Sequence, residues 1–321
     1  MMRLFRSILT LYCLISIWGT THAAEIAVLK SADLPYYERA IAGFKADLSV
    51  TTSIKDYNLQ GQLEQGRDIA KSLRGSPPDL VLAVGLKAAM AAKLEIFDTP
   101  VVFCMVLNPD TYGLPTSNMT GVAVRTPAET QLSTLRSMMP DRSRIGILYD
   151  EAQSGDFIHD AVRAAKPLGL DLVAAAIQRP DEIPVALRKL LPKVDVLWLI
   201  QDQLIVSESA IPFFLDSTLN AKIPIFTFSS TLVQQGALGA LVSDPWTVGQ
   251  QAARIARARL KDPRVSEGQI EPPEHPQLAL NLNSAEYLGI ILTPDLIRLA
   301  THVFSGLGSI AKHPAHQDLI H

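Results

Sequence analysis

The sequence predicts an α/β protein of two doubly wound parallel-sheet lobes. Three observations carry that expectation. Short apolar runs alternate with amphipathic stretches along most of the chain, a β-α-β rhythm that calls for parallel sheets covered on both faces. The rhythm breaks near Gly121–Pro127, where Gly and Pro punctuate a strand-like stretch, and then restarts. No low-complexity linker separates the halves, which favours lobes joined by short crossings over independent beads.

In the first half, strand-like runs at Glu25–Lys30, Thr51–Asp56, Asp79–Val84 and Pro100–Met105 are separated by helical segments at Tyr36–Leu48, Gln60–Leu73 and Leu86–Leu94. In the second, runs at Arg144–Tyr149, Leu170–Ala176, Val194–Ile200, Ile223–Phe228 and Leu238–Val242 alternate with Ser154–Ala165, Asp181–Leu191 and Ser207–Leu219. The helix Thr247–Leu260 follows, and Pro272, Pro273 and Pro276 mark a further crossing. Trp198 lies mid-strand and reads as core.

Met1–Ala23 reads as a secretory signal peptide: Arg3 and Arg6 precede an apolar core at Ile8–Trp18, and Thr21-His22-Ala23 offers a small-x-small cleavage site. The core is shorter than the ~18 apolar residues of a spanning helix. Losing Arg3 and Arg6 takes the formal charge from −3 to −5, a mildly acidic balance without the clustered basic face that nucleic acid or a polybasic membrane contact requires. It also removes Cys13, leaving Cys104 alone inside an apolar strand, where a buried, inert thiol is expected. Enzyme readings find no support. The sequence contains no Gly-x-Ser-x-Gly elbow, no His-Glu-x-x-His pair and no Gly-rich phosphate loop, and the expected catalytic and metal residues are none. His159 falls on a solvated helix face, His275 stands beside prolines, and His313, His316 and His321 fall in a tail read as disordered.

The stretch from Lys222-Ile-Pro-Ile-Phe through Gly236-Ala-Leu-Gly-Ala-Leu-Val-Ser-Asp to Gly249-Gln-Gln-Ala-Ala resembles the periplasmic substrate-binding proteins of ABC transporters, in the branch that includes tryptophan- and tyrosine-type uptake proteins. Ser76-Pro-Pro-Asp-Leu-Val-Leu-Ala-Val-Gly, Thr99-Pro-Val-Val-Phe, Asn118-Met-Thr-Gly-Val, Arg144-Ile-Gly-Ile-Leu-Tyr-Asp and Leu280-Asn-Leu-Asn-Ser-Ala-Glu-Tyr-Leu-Gly match the same family in the same order, over about residues 25–295. The resemblance implies a type I binding-protein arrangement, an α/β fold whose two lobes are joined by a multi-strand hinge. Its first lobe would hold 25–122 plus about 245–271, its second 123–244 plus about 272–295, and 296–321 would be a C-terminal helix or tail. It further implies a periplasmic monomer without cofactor, which binds a small molecule and hands it to an ABC permease. Alternatively, the same cleft would serve a membrane sensor protein.

In an open α/β sheet the ligand sits beyond the carboxyl ends of the strands, where free helix N-termini and hydroxyls collect. The candidate ligand residues are therefore those at the strand ends. Ser31 and Asp33 stand in the opening loop, where relatives show Glu-His-Pro. Gly85 and Lys87 open a helix; each has a plainer reading, as a turn glycine and as a solvated cation. Asn108 occupies the family's Asp position, and Gln153, Ser154 and Gly155 the turn after Tyr149, with Ser154 also able to cap the next helix. By resemblance Asp202 faces the cleft and pairs with a ligand ammonium, unless it is a loop acid capping the helix near Ser207; Gln203 adjoins it. Ser229, Ser230 and Asp244 complete the set, and Tyr36 and Tyr37 either stack on a planar ligand or pack.

Overall fold

The computed structural model describes residues 23–48, 52–207, 209–305 and 308–311. Nearly all of the expected leader, and His313, His316 and His321, lie outside the described residues. Each lobe is a twisted sheet with helices on both faces. The first sheet contains β1 (Glu25–Lys30), β2 (Ser53–Asn58), β3 (Leu80–Val84), β4 (Val101–Val106), β5 (Met119–Ala123) and β11 (Ile270–Glu271), in the order β11-β5-β4-β3-β1-β2, all parallel. β3 is buried along its whole length because helices cover both of its faces. On one face lie α2 (Leu63–Gly75) and α3 (Leu86–Glu95), whose buried alanines Ala88, Ala89, Ala91 and Ala92 let the helix approach closely. On the other lie α1 (Pro35–Ala46) and α9 (Pro245–Lys261).

The second sheet runs β14-β13-β12-β10-β9-β8-β6-β7. Its strands are β6 (Arg144–Asp150), β7 (Asp171–Ile177), β8 (Val196–Trp198), β9 (Ile225–Thr227), β10 (Gly239–Val242), β12 (Gln277–Asn281), β13 (His302–Ser305) and β14 (Gly308–Ala311). The parallel reading holds for β6 to β10, whereas β12 runs antiparallel to β10 and β14 antiparallel to β13. Residues 302–305, expected in the tail, thus join this sheet as β13 beside β12. Its helices are α4 (Ala128–Met138), α5 (Glu151–Ala165), α6 (Ile183–Leu190), α7 (Ala210–Asn220), α8 (Ser230–Gln234), α10 (Leu282–Leu288) and α11 (Pro294–Leu299). Trp198 is fully buried here and donates from Nε1 to Gln131 Oε1 at 3.1 Å, which satisfies its one polar atom.

Three segments cross between the sheets: 124–127 from β5 to α4, 243–244 from β10 to α9, and 272–276 from β11 to β12. Thr126 Oγ1 and Ser243 Oγ, 3.2 Å apart, tie the first two together. The Gln251 side chain ties the third to α9, donating to the Pro272 carbonyl at 2.9 Å and accepting from the Glu274 N–H at 3.2 Å.

At the base of the second sheet Asp195 accepts from Arg144 Nη2 at 2.6 Å and from the backbone N–H of Arg144 at 2.9 Å and of Ser143 at 3.3 Å. The Arg144 guanidinium, helped by those N–H groups against partial desolvation, holds its carboxyl down to about 2. A depressed carboxylate pKa stabilises the fold above its unfolded value of about 3.9, and that contribution disappears as pH falls through the folded value. Because Arg144 is half-exposed, Asp195→Asn is expected to cost about 1 kcal/mol at pH 7. Urea midpoints measured for both proteins across pH 7 to 2 should converge at the acid end.

Candidate functional site

Each sheet reverses its winding at one place, between β1 and β3 in the first and between β6 and β8 in the second, and it is beyond the strand ends at such points that open α/β sheets bind ligands. Ser31 lies at the first of these points. It is buried, its N–H donates to the Val84 carbonyl, and its Oγ accepts from the Ala88 N–H at 2.9 Å. Ser31 therefore caps α3 from a neighbouring strand, where Gly85, the residue ahead of the helix, has no side chain to do so. Gly85 has φ 86°, and a Cβ there would lie 2.4 Å from Tyr37 Oη and 2.7 Å from Ser31 Oγ, so both backbone conformation and close approach require glycine. Tyr37 is a packing residue, its hydroxyl pKa raised by burial and by Tyr36; Tyr36 itself is exposed.

Asp33 pairs with Lys30 at 2.6 Å and accepts from Asn58 Nδ2 at 2.7 Å, and Lys87 donates to the Gly61 carbonyl. Both stitch the loops of the first lobe to one another.

The second reversal point is organised by Asp202, which is 3% exposed. Its Oδ2 accepts from the Asp150 N–H at 2.9 Å and Ser154 Oγ at 2.8 Å, and its Oδ1 from the Leu204 N–H at 3.0 Å. Both oxygens are committed within the lobe, where they fasten the turn after β6 to the loop after β8. Asp202 thus has a structural role inside its own lobe. Gln153, Ser154 and Gly155 are all inside α5, not in the turn before it: Asp150 caps that helix, accepting from the Ala152 N–H at 3.0 Å. Gln203 is an exposed turn residue. Ser229 caps α8 through the Leu232 N–H at 3.4 Å, and Ser230 is its first residue. Asp244 leads into α9 and pairs with Arg39 of α1 at 2.9 Å.

Asn108 and Gln153 are the two candidates that meet across the lobes, Asn108 Nδ2 donating to the Gln153 carbonyl at 2.7 Å. A bulge makes this possible. The pairing of β4 with β5 shifts register between Phe103 and Val106, Met105 has φ 59° and Asn108 φ 51°, and the chain end is redirected toward the second lobe. Asn108 and Gln153 both line a recess of about 200 Å³, which Arg125 on the 124–127 crossing also lines. Asn108 and Asp110 close it from the first lobe, and Gln153, Asp156, Phe157 and Asp160 from α5.

Arg125 was not among the residues expected at the site. Its Nη2 donates to the Gln201 carbonyl and its guanidinium carbon stands 4.4 Å from the centre of the Phe157 ring. Its Nε and Nη1 are buried without a hydrogen-bond partner. Burial pulls the guanidinium down to about 10, and the nearby Asp202 charge opposes that fall. The signal available in the sequence was a lone arginine in the otherwise small and apolar stretch Gly121–Pro127.

Cys104 is free and buried, and desolvation pushes its thiol up to about 12, where it is no nucleophile. Among the described residues no group of three or more His, Cys, Asp or Glu side chains is placed to hold a metal ion, and no helix is long and apolar enough to cross a membrane.

Residues 26–304 match the family model described as ABC transporter substrate binding protein. The chain is 25% identical to a tyrosine-binding protein of Clostridioides difficile (strain R20291) over 242 residues, 72% of this chain and 69% of that one. Among solved structures it is similar to a ligand-free, open substrate-binding protein with adhesive properties from Clostridium difficile. That match has a TM-score of 0.72 at 21% identity, covering 85% of this chain and 97% of that one. It is also similar to an ABC domain from Streptococcus pneumonia in complex with L-Trp, with a TM-score of 0.65 at 23% identity, covering 88% of this chain and all of the other.

Proposed function

The chain belongs to the ABC transporter substrate-binding protein family, and from that premise we propose that it captures an amino acid or a related small molecule between its lobes, as an exported monomer, and delivers it to an ABC permease. The observation that supports this reading best is the recess itself, whose walls come from both lobes and from a crossing between them. A ligand held there contacts all three only when the lobes are together. It binds the closed arrangement more tightly than the open one, and this difference in affinity is what shifts the population toward closure. The names of the tyrosine-binding relative and of the Trp-bound neighbour make aromatic amino acids the first ligands to try.

Closure moves whole lobes and leaves secondary structure alone. On saturation with L-tyrosine or L-tryptophan, the radius of gyration in small-angle scattering should fall while the far-ultraviolet dichroism hardly changes. Trp246, on the first turn of α9 just past the 243–244 crossing, should change its fluorescence in the same titration. A ligand that saturates the protein and moves neither the radius nor this signal would remove the closing cleft.

A further inference from the structure

We propose that Arg125 is the anion receptor of the recess and that the ligand is held through a carboxylate, which restricts the proposed cleft ligand to carboxylate-bearing molecules; the inference rests on the cleft-binding reading above. A guanidinium carries donors and no acceptor, and it stays charged at neutral pH. Placing such a group with two nitrogens buried and unpaired costs free energy that native structures ordinarily avoid. The surrounding fold recovers only part of it, and Nε and Nη1 remain without an acceptor. The Gln201 carbonyl takes one nitrogen, the Phe157 ring covers the guanidinium, and Asp202, the nearest opposing charge, has both oxygens committed to Asp150, Ser154 and Leu204.

The arrangement does hold the guanidinium still. Nη2 is fixed by a backbone carbonyl at the end of the second sheet and the plane is fixed by the ring, so little side-chain freedom is left for a ligand to remove. A carboxylate brought against the guanidinium would supply charge-assisted acceptors for Nε and Nη1, which are otherwise shut off from solvent. Its contact would also fall on the 124–127 crossing, so the occupied arginine sits in the part of the chain that must bend as the lobes move. The rim is acidic, with Asp110, Asp156 and Asp160 lining the same recess. Simple anions and dicarboxylates meet repulsion at that rim, whereas the zwitterion of an α-amino acid presents an ammonium to it.

The test uses the exported full-length chain and matched probes: L-tyrosine and L-tryptophan, the corresponding amines tyramine and tryptamine, and succinate. Calorimetric titration should show the wild type binding at least one of the amino acids, and binding each amine and succinate at least 10-fold more weakly. Arg125→Gln and Arg125→Lys should each lose about 10- to 150-fold in affinity for the amino acid, Lys retaining the charge but not the fixed planar geometry. A ligand-free readout separates this role from a structural one. Without ligand, Arg125→Met should melt at or above the wild-type temperature, because it removes a buried charge with two nitrogens unpaired. A structural arginine would instead melt lower on replacement. Amines binding as tightly as amino acids and closing the lobes, with Arg125→Gln unaffected, would overturn the anion receptor and leave the cleft reading intact. Failure of every probe, and of a full panel of amino acids and small carboxylates, to bind would overturn both.

Discussion

Asp202→Ala is expected to lower the stability of the ligand-free protein by about 3–5 kcal/mol, the cost typical of breaking a buried charge network by removing one partner. Three donors lose their acceptor at once. The N–H groups of Asp150 and Leu204 and the Ser154 hydroxyl all converge on this carboxylate, and Ser154 is as buried as Asp202 itself. Leaving such groups unpaired costs about 1–3 kcal/mol each. The loss also removes the negative charge that offsets the desolvation of Arg125. Asp202→Asn retains the shape but turns one acceptor oxygen into a donor, and because both oxygens already receive hydrogens, either orientation opposes donor to donor. It should lose about 1–3 kcal/mol, again in stability before affinity. Urea unfolding of both variants measures this, and wild-type midpoints together with weakened amino-acid binding would return Asp202 to the ligand site.

Gly249→Ala is expected to be at least as damaging although it adds a single methyl group. A Cβ at Gly249 would lie 1.9 Å from the Ala40 carbonyl oxygen and 2.9 Å from the Phe44 backbone nitrogen, and one at Gly43 would lie 2.2 Å from the Trp246 carbonyl oxygen. α1 and α9 thus touch backbone to backbone through a glycine on each. Overpacking a core ordinarily costs about 1–3 kcal/mol, and here the obstacle is main chain that cannot change rotamer, so about 3 kcal/mol or more is expected. α9 would have to withdraw from α1, and the Arg39 to Asp244 ion pair that joins them at the crossing would go with it. Thermal unfolding of the variant checks the loss, and a melting temperature within a degree or two of the wild type would show that the helices have room to part.

Both expectations depend on contacts between residues far apart in the chain, which no local pattern encodes. The alternation of apolar runs with helical segments was sufficient for the strand series, for the interruption at Gly121–Pro127 and for Trp198 in the core, because those patterns are local and periodic. The ordered motifs were sufficient for the family. Two of the candidate residues, Asn108 and Gln153, line the recess between the lobes.

What a strand-end residue does was decided by tertiary structure. Ser31 caps a helix it does not immediately precede, Asp202 accepts three hydrogen bonds from its own lobe, and Asn108 reaches Gln153 only because a bulge turns the end of β4. A sequence states which donors and acceptors are present, and hydrogen bonding then depends on which of them folding brings within about 3 Å. By itself the sequence determined the two-lobed α/β architecture and the family, since both follow from short-range hydrophobic period and from motif order. The meeting of Arg125, Phe157 and Asn108 in one recess was decided only by the fold, because their proximity comes from a crossing, a bulge and a helix contributed by three separate parts of the chain.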